Sequence, residues 1–249
     1  MKEKESCNLL SKIKILEELG YDLKPESMVL DFGCGEGKAV HEWRDHGYQA
    51  FGCDIKLRNK NDTDAKSICS EDIIRPINPH PYTLPFEDNT FDFIYSDQVF
   101  EHVQSYSKAI SEINRILKPN GCCLHIFPSR YKAIESHTNV PFSSIFKPYP
   151  WLFFWAMMGI RNKFQTGLSA KETVNRNYNY LVNSTNYLTK TQITKAFKRH
   201  FNEVVYAEKV FLKYSKRGYC IYALSKFFPF LTSIFSTFRS RVLFTKQPR

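Results

Sequence analysis

Residues 29–40 read VLDFGCGEGKAV, an apolar run that closes on Asp31 and leads through glycines at 33, 35 and 37 into residues able to start a helix. A strand that ends in a glycine turn and feeds a helix lets a ligand lie against bare backbone, because glycine has no Cβ and tolerates positive φ. The helix N-terminus then offers unpaired N–H groups. A dinucleotide fingerprint needs a third glycine three residues after its second, and here that place holds Lys38, so the pyrophosphate reading loses ground. A second short stretch, residues 49–54, closes on Asp54, seventeen residues after Gly37. In a βαβ unit that carboxylate reaches a ribose and accepts hydrogen bonds from both hydroxyls.

Other residues are of types that move protons. His102 lies just beyond an apolar stretch at 91–97, and His125, Tyr131, Glu135 and His137 follow in LHIFPSRYKAIESH, all expected at one mouth. An imidazole, whose ordinary pKa is near 6.5, suits the removal of a proton from a hydroxyl. No HxxxH, HExxH or carboxylate cluster has firm metal spacing, so no metal is assigned.

These side chains need a frame, and periodicity supplies one. Leu9, Leu10, Ile13, Leu16 and Leu19 fall on one helical face before Gly20, predicting an amphipathic helix able to cover the ligand pocket. Strands are expected at about 28–32, 49–54, 72–77, 91–97 and 121–127, with helices at about 36–46 and 105–117. Such alternation predicts an α/β fold with a parallel sheet and helices on both faces. Thr189 and Gln192 form a capping box ahead of an apolar stripe of Ile193, Ala196, Phe197 and Phe201. Two alternating stretches follow at about 203–213 and 219–226.

The segment LPFEDNTFDFIYSDQVFEHV (84–103) and then AISEINRILKPNG (109–121) join D-x-G-x-G-x-G in a fixed order. Together they resemble class I S-adenosylmethionine-dependent methyltransferases, in the small-molecule group whose members carry an LPF turn, an FD-led fourth strand, an EHV segment and a helix ending in LKPGG. The resemblance spans roughly residues 26–127. It implies a Rossmann-like, doubly wound, mostly parallel seven-stranded sheet completed by a C-terminal antiparallel hairpin, which the stretches at 203–213 and 219–226 would form. It implies S-adenosylmethionine as cofactor, held by Asp31, Phe32, Gly33, Cys34, Gly35, Gly37, Asp54, Ile55, Asn78, Leu84, Ser96, Asp97 and Gln98. A sulfonium methyl is already activated, so the protein must hold a nucleophile in line and remove one proton, for which His102, His125, Tyr131 and His137 are the candidates. Two departures stand out. Many members carry an acid before the LPF turn that faces the adenine amino group, and here Asn78 or His80 must substitute. The LKPGG end is reduced to Asn120 and Gly121, a turn that asparagine keeps because it tolerates the left-handed region.

The whole chain reads as one methyltransferase domain of 249 residues. Its parts are a cofactor-binding half (1–127), a helical substrate-recognition insertion after the fifth strand (128–188), a last helix and hairpin (189–225) and a basic aromatic tail (226–249). Insertions at the carboxyl ends of strands sit where ligands bind. This one contains PYPWLFFWAMMGIRNKF, either a buried cap helix or a hydrophobic wall. Seven cysteines without a CxxC pair point to a reducing compartment, and the charged N-terminus to no signal peptide, so a cytoplasmic protein is expected. Residues 1–97 hold 12 Lys/Arg and 19 Asp/Glu, whereas residues 98–249 hold 23 and 6, so the second half attracts anions. The tail, with five cations and no acid, could lie against the inner membrane face or, equally, pack on its own domain. These features point to O-methylation of a small molecule, a saccharide or a lipid-linked acceptor. The alternatives are an RNA methyltransferase, carried by the basic half, and an inactive cofactor-binding scaffold. Against base methylation, SDQV stands where DNA amino-methylating enzymes resemble [DNS]-P-P-[YFW]. Against decay, Asp31, the three glycines and Asp54 are intact.

Overall fold

Strand β1 (Met28–Phe32) is apolar almost throughout because it is buried on both faces of a sheet, between layers of helices. A computed structural model describes residues 9–55 and 73–247 of the chain. Beside β1 lie β2 (Gln49–Asp54) and, beyond it, β3 (Ile74–Pro76), all parallel. A small antiparallel ribbon follows, β4 (Asn78–Pro79) with β5 (Tyr82–Thr83). On the other side of β1 stand β6 (Phe91–Asp97) and β7 (Leu117–Pro128), again parallel. Two further strands, β8 (Glu203–Tyr206) and β9 (Ser240–Lys246), complete a seven-stranded sheet of order β3-β2-β1-β6-β7-β9-β8, in which β9 runs antiparallel to both neighbours. The mostly parallel, doubly wound sheet with antiparallel pairing at its C-terminal end is the expected architecture.

Helices cover both faces. Helix α1 (Leu9–Glu18) and α2 (Lys38–Asp45) bring Leu9, Ile15, Leu16, Val40 and Trp43 against Phe93 and Tyr95. On the opposite face α3 (Tyr106–Ile116) packs Ile110, Ile113 and Ile116 against Leu30, Ile94 and Cys123. The insertion folds into α4 (Tyr149–Met157) and α5 (Ala170–Asn183), which enclose a small core of Val140, Leu152, Ala156, Val174 and Leu181. Helix α5 starts in a Ser169–Glu172 capping box, and α6 (Lys190–Phe197) in the expected one between Thr189 and Gln192. Asn120 adopts φ 64° and keeps the turn at the head of β7, as its tolerance of that region predicts.

Three expectations are corrected. The buried face of α1 is Leu9, Lys12, Ile15 and Leu16, so a lysine points inward while Leu10 faces solvent. The stretches at 203–213 and 219–226 do not pair with each other. Only β8 is extended there; residues 208–214 and 219–225 form helices α7 (Glu208–Tyr214) and α8 (Tyr219–Ser225). The partner of β8 is instead β9, from the segment read as a tail, after a further helix α9 (Phe230–Phe238). A short apolar run reads equally well as strand or helix, and β9 shows no alternation because it is buried on both sides.

Because β9 lies inside the sheet, ending the chain at Lys226 should unfold the domain and not merely detach a tail. Val242, Leu243 and Phe244 are fully buried, and each contributes about 1.5–3 kcal/mol, together a large part of the stability of an ordinary domain. A thermal melt followed by circular dichroism should show no cooperative transition for the shortened chain.

Candidate active site

The order of strands reverses beside β1, so a crevice opens at the carboxyl ends of β1 and β6. The glycine turn lies there. Gly33 N–H and Cys34 N–H both donate to the Cys53 carbonyl, at 2.7 and 3.1 Å, pinning the turn to β2. Gly33 and Gly37 have φ of 84° and 75°. A Cβ on Gly33 would come within 2.4 Å of Val99, and one on Gly37 within 2.1 Å of Ile74. Around Gly35, by contrast, a Cβ would meet nothing within 4 Å, and its N–H donates to Asp54 Oδ2 at 2.9 Å. One Asp54 oxygen therefore fixes the turn, a task that the sequence reading did not give it. Helix α2 follows with no side chain capping it, which leaves its first N–H groups for a ligand.

At the other wall the ends of β1 and β6 place Asp31 and Asp97 together. Lys12 of α1 reaches Asp97 Oδ2 at 2.8 Å and lies 4.6 Å from the centre of the Tyr95 ring. The second Asp97 oxygen is buried and has no hydrogen-bond partner among the described residues. Burial and the neighbouring Asp97 push the Asp31 carboxyl up to about 7, with Lys12 opposing them. Lys12 pairs with Asp97 and acts on Asp31 through its charge. Gln98, next in line, takes a positive φ of 57° and donates its N–H to the Ile126 carbonyl at 2.7 Å. For a residue other than glycine that backbone is strained, a frequent mark of functional sites.

Other expected cofactor residues are placed elsewhere or act through the backbone. The Phe32 ring is buried near Phe100, Cys34 is half-buried in the turn, and Ile55 is exposed just before residues 56–72, which lie outside the described residues. Asn78 is exposed and its side-chain oxygen accepts from His80 N–H at 3.0 Å, closing a turn within its own ribbon. Leu84 is a core residue whose N–H donates to Glu112 and whose carbonyl accepts from Arg115, so it anchors the loop to α3. Ser96 is wholly buried and pairs at 2.8 Å with His125 Nδ1.

That pairing corrects the reading of His125 as a base. Its ring is fully buried between Phe100 and Phe197, and burial lowers its pKa to about 3. Such a ring is a neutral packing group. Tyr131 is exposed, and its N–H donates to the Ser129 hydroxyl at 3.3 Å.

His102 and His137, in contrast, come together. Their rings meet edge to face at 4.9 Å, with Tyr180 of α5 at 6.3 and 5.1 Å from the two. His102 ends a 3-10 turn, Phe100–His102, and its Nδ1–H donates to the Ser184 carbonyl at 2.8 Å. Asn186 holds the same loop through Glu101, Val103 and Gln104, so the end of the insertion clamps the segment after β6. His137 Nδ1 lies 2.7 Å from Glu135 Oε1, which also accepts from the Tyr187 hydroxyl; Oε2 accepts from His137 N–H, Thr138 N–H and the Thr138 hydroxyl. Burial raises the Glu135 carboxyl, but His137 and the other donors outweigh it and bring it down to about 2. An ionised carboxylate thus holds His137 through one ring nitrogen, Nδ1.

Glu101 is the residue that sequence reasoning missed within its own motif. It is buried, its carboxyl is pushed up to about 7 by burial, and Oε2 has no hydrogen-bond partner among the described residues. Lys12 had no signal at all, since a lysine on an apolar stripe reads as a break in the stripe.

Residues 30–125 match a family model described as a methyltransferase domain. The glycine/sarcosine/dimethylglycine N-methyltransferase of Actinopolyspora halophila is 30% identical over 116 residues, covering 43% of this chain and 20% of that protein. The demethylmenaquinone methyltransferase of Staphylococcus aureus is 25% identical over 189 residues, covering 74% of this chain and 70% of that protein. Over three relatives at 30% identity or more, the chain spans 20% to 52% of the relative's length. In fold, the chain is similar to phosphoethanolamine N-methyltransferase 2 of Haemonchus contortus, solved with phosphomonomethylethanolamine and S-adenosylhomocysteine. The TM-score is 0.53 at 19% identity, over 97% of this chain and 53% of that one.

The buried His125 makes a prediction about acid stability. Its folded pKa lies below that of a free imidazole, so its contribution is complete above about pH 6.5 and is lost as pH falls toward 3. Unfolding temperature should therefore drop between pH 7 and 5. His125→Gln, which keeps a partner for Ser96 and does not titrate, should flatten that dependence.

Proposed function

We propose, from the premise that this chain carries a class I S-adenosylmethionine-dependent methyltransferase domain, that it methylates an oxygen of a small-molecule, saccharide or lipid-linked acceptor at the mouth between the 99–104 loop and the insertion. The cofactor-binding half is residues 1–127 and the acceptor is selected by residues 128–188. When bound, S-adenosylmethionine supplies a methyl group already activated on a sulfonium. The residues present suit it. The open space at Gly35 admits a ligand against the backbone, Asp54 stands at the end of β2 beside that turn where a ribose would lie, and Asp31 with the second Asp97 oxygen suits an ammonium.

The observation that carries the acceptor chemistry is the contact of His137 with Glu135 on one side and His102 on the other. His137 Nε2 takes the acceptor's proton, and the Glu135 carboxylate stabilises the imidazolium that results. His102, held through Nδ1 by the Ser184 carbonyl, shapes the same mouth. Glu101 offers its unpartnered oxygen to a second acceptor hydroxyl. An apolar acceptor is supported by the relative named for demethylmenaquinone and by the aromatic α4, whose Phe153, Phe154 and Met157 are exposed. Such an acceptor would bring the enzyme to the cytoplasmic membrane face.

Two experiments test this reading. In calorimetry, Asp54→Ala should weaken binding of S-adenosylmethionine by roughly 2–3 kcal/mol through lost charge-assisted hydrogen bonds. In the unaltered protein, affinity should rise as pH passes 7, because a bound cation favours the ionised form of Asp31. Loss of heat with S-adenosylmethionine in the unaltered chain would overturn the assignment.

Once an acceptor is identified, substitution of the two histidines tests the pair directly. His137→Ala and His102→Ala should each lower kcat by about 10²-fold. The double variant should be little worse than either single one, because neighbours acting as a unit are not additive. Unchanged kcat in both single variants would remove the pair from the chemistry.

A further inference from the structure

The exposed outer face of the last two helices has no role in the fold or the site described above. We infer that α8 and α9, with the turn between them, form a docking surface for an anionic lipid bilayer, an inference that rests on the functional reading only for the membrane face at which the enzyme works. Two-sidedness is the first observation. On the inner side Phe235 stacks over Phe211 at 6.1 Å, Ser236 donates to Glu208 at 2.9 Å, and Arg241 donates to Ser236. These contacts hold α9 on the domain. On the outer side Leu224, Phe227, Phe228, Phe230, Ile234 and Phe238 face solvent, Phe227 being 80% exposed. A domain that fixes one side of a short helical pair and leaves this density of phenylalanine outside is presenting an apolar surface.

Charge selects the occupant. Lys216 and Arg217 precede α8, Lys226 lies between the helices and Arg239 follows α9, and all four are exposed. No Asp or Glu occurs in the sequence after Glu208, and Glu208 is itself buried. Lys226 stands 5.3 Å from the centre of the Tyr222 ring, at the base of the apolar turn. An apolar surface bordered by cations, on a stretch of chain that carries no acid after Glu208, complements the boundary between acyl chains and anionic headgroups. A second copy of this chain fits less well, because a twofold interface would set the same cations against each other. No helix among the described residues is long and apolar enough to cross a membrane, so the contact is peripheral.

Flotation of the full chain with vesicles tests the surface. At low salt the protein should float with vesicles rich in phosphatidylglycerol and stay behind with pure phosphatidylcholine, and raising the salt should cut the bound fraction severalfold. The triple variant Phe227→Ser, Phe228→Ser, Phe230→Ser should lose at least tenfold in bound fraction, and Lys216→Glu with Arg217→Glu and Lys226→Glu should do the same. All these positions are exposed, so both variants should keep their melting transition and their binding of S-adenosylmethionine. Failure of the full chain to float at low salt, or undiminished flotation of the phenylalanine variant, would overturn the inference. A dimer in sedimentation velocity that only the phenylalanine variant dissolves, without vesicle binding, would assign the surface to a second copy. Vesicle binding without cofactor binding would leave the surface standing and remove the functional reading instead.

Discussion

The space denied to a side chain at Gly33 and Gly37 is the constraint on which the rest of the site depends. At Gly33 the backbone lies directly against Val99, just past the end of β6, and at Gly37 against Ile74 at the start of β3. The turn is thereby wedged between two strands that it does not belong to. The positions of Asp31 before it, Asp54 against it and α2 after it all follow from that wedge. A methyl group at either place would run into the Val99 or the Ile74 side chain, on a backbone whose positive φ already disfavours any residue with a Cβ. The positive φ at Gln98 belongs to the same arrangement, because the chain must turn sharply to bring Val99 over the glycine.

A second organising group sits in the insertion. Glu135 is buried and ionised, a costly state unless every lone pair is used, and five donors use them. Those donors come from its own loop and from Tyr187, beyond α5, so one carboxylate ties the start of the insertion to its end. The same knot fixes His137 and, through the 184–186 segment, His102. Hydrophobic packing within the insertion is modest by comparison, limited to one small cluster. Its order therefore rests on polar contacts that demand particular directions, which suits a site that must aim an imidazole.

Legibility in the sequence followed the range of the interactions. The glycine turn, Asp54, the first helices and the sheet half around β1 were readable because motif spacing and hydrophobic period are local. The capping box at Thr189 and the left-handed Asn120 were readable for the same reason. The end of the chain was not, since the apolar runs of α8 and β9 differ little in composition and only the partner strands decide between them. Lys12 was unreadable because its partner, Asp97, is far along the chain, and His125 because nothing in LHIFPSR announces that its ring faces the core. Glu101 is an ordinary surface residue by type, and Glu135, though read beside the histidines, carried no sign in the sequence that it is buried. Only the assembled fold buries them, and burial is what gives them chemistry.

The insertion of β9 between β7 and β8 also sets an order of events. While the chain is being made, β7 stands with one edge of bare N–H and C=O groups until residues 240–246 have emerged, and β8 has no strand to join. The first strands of the sheet pair early, but closure waits for a contact between segments distant in sequence, which is slow. For that interval the apolar edge of β7 is a template for any other extended chain. The hazard of this architecture is thus concentrated in time, and crowding of nascent copies is the circumstance in which it would be felt.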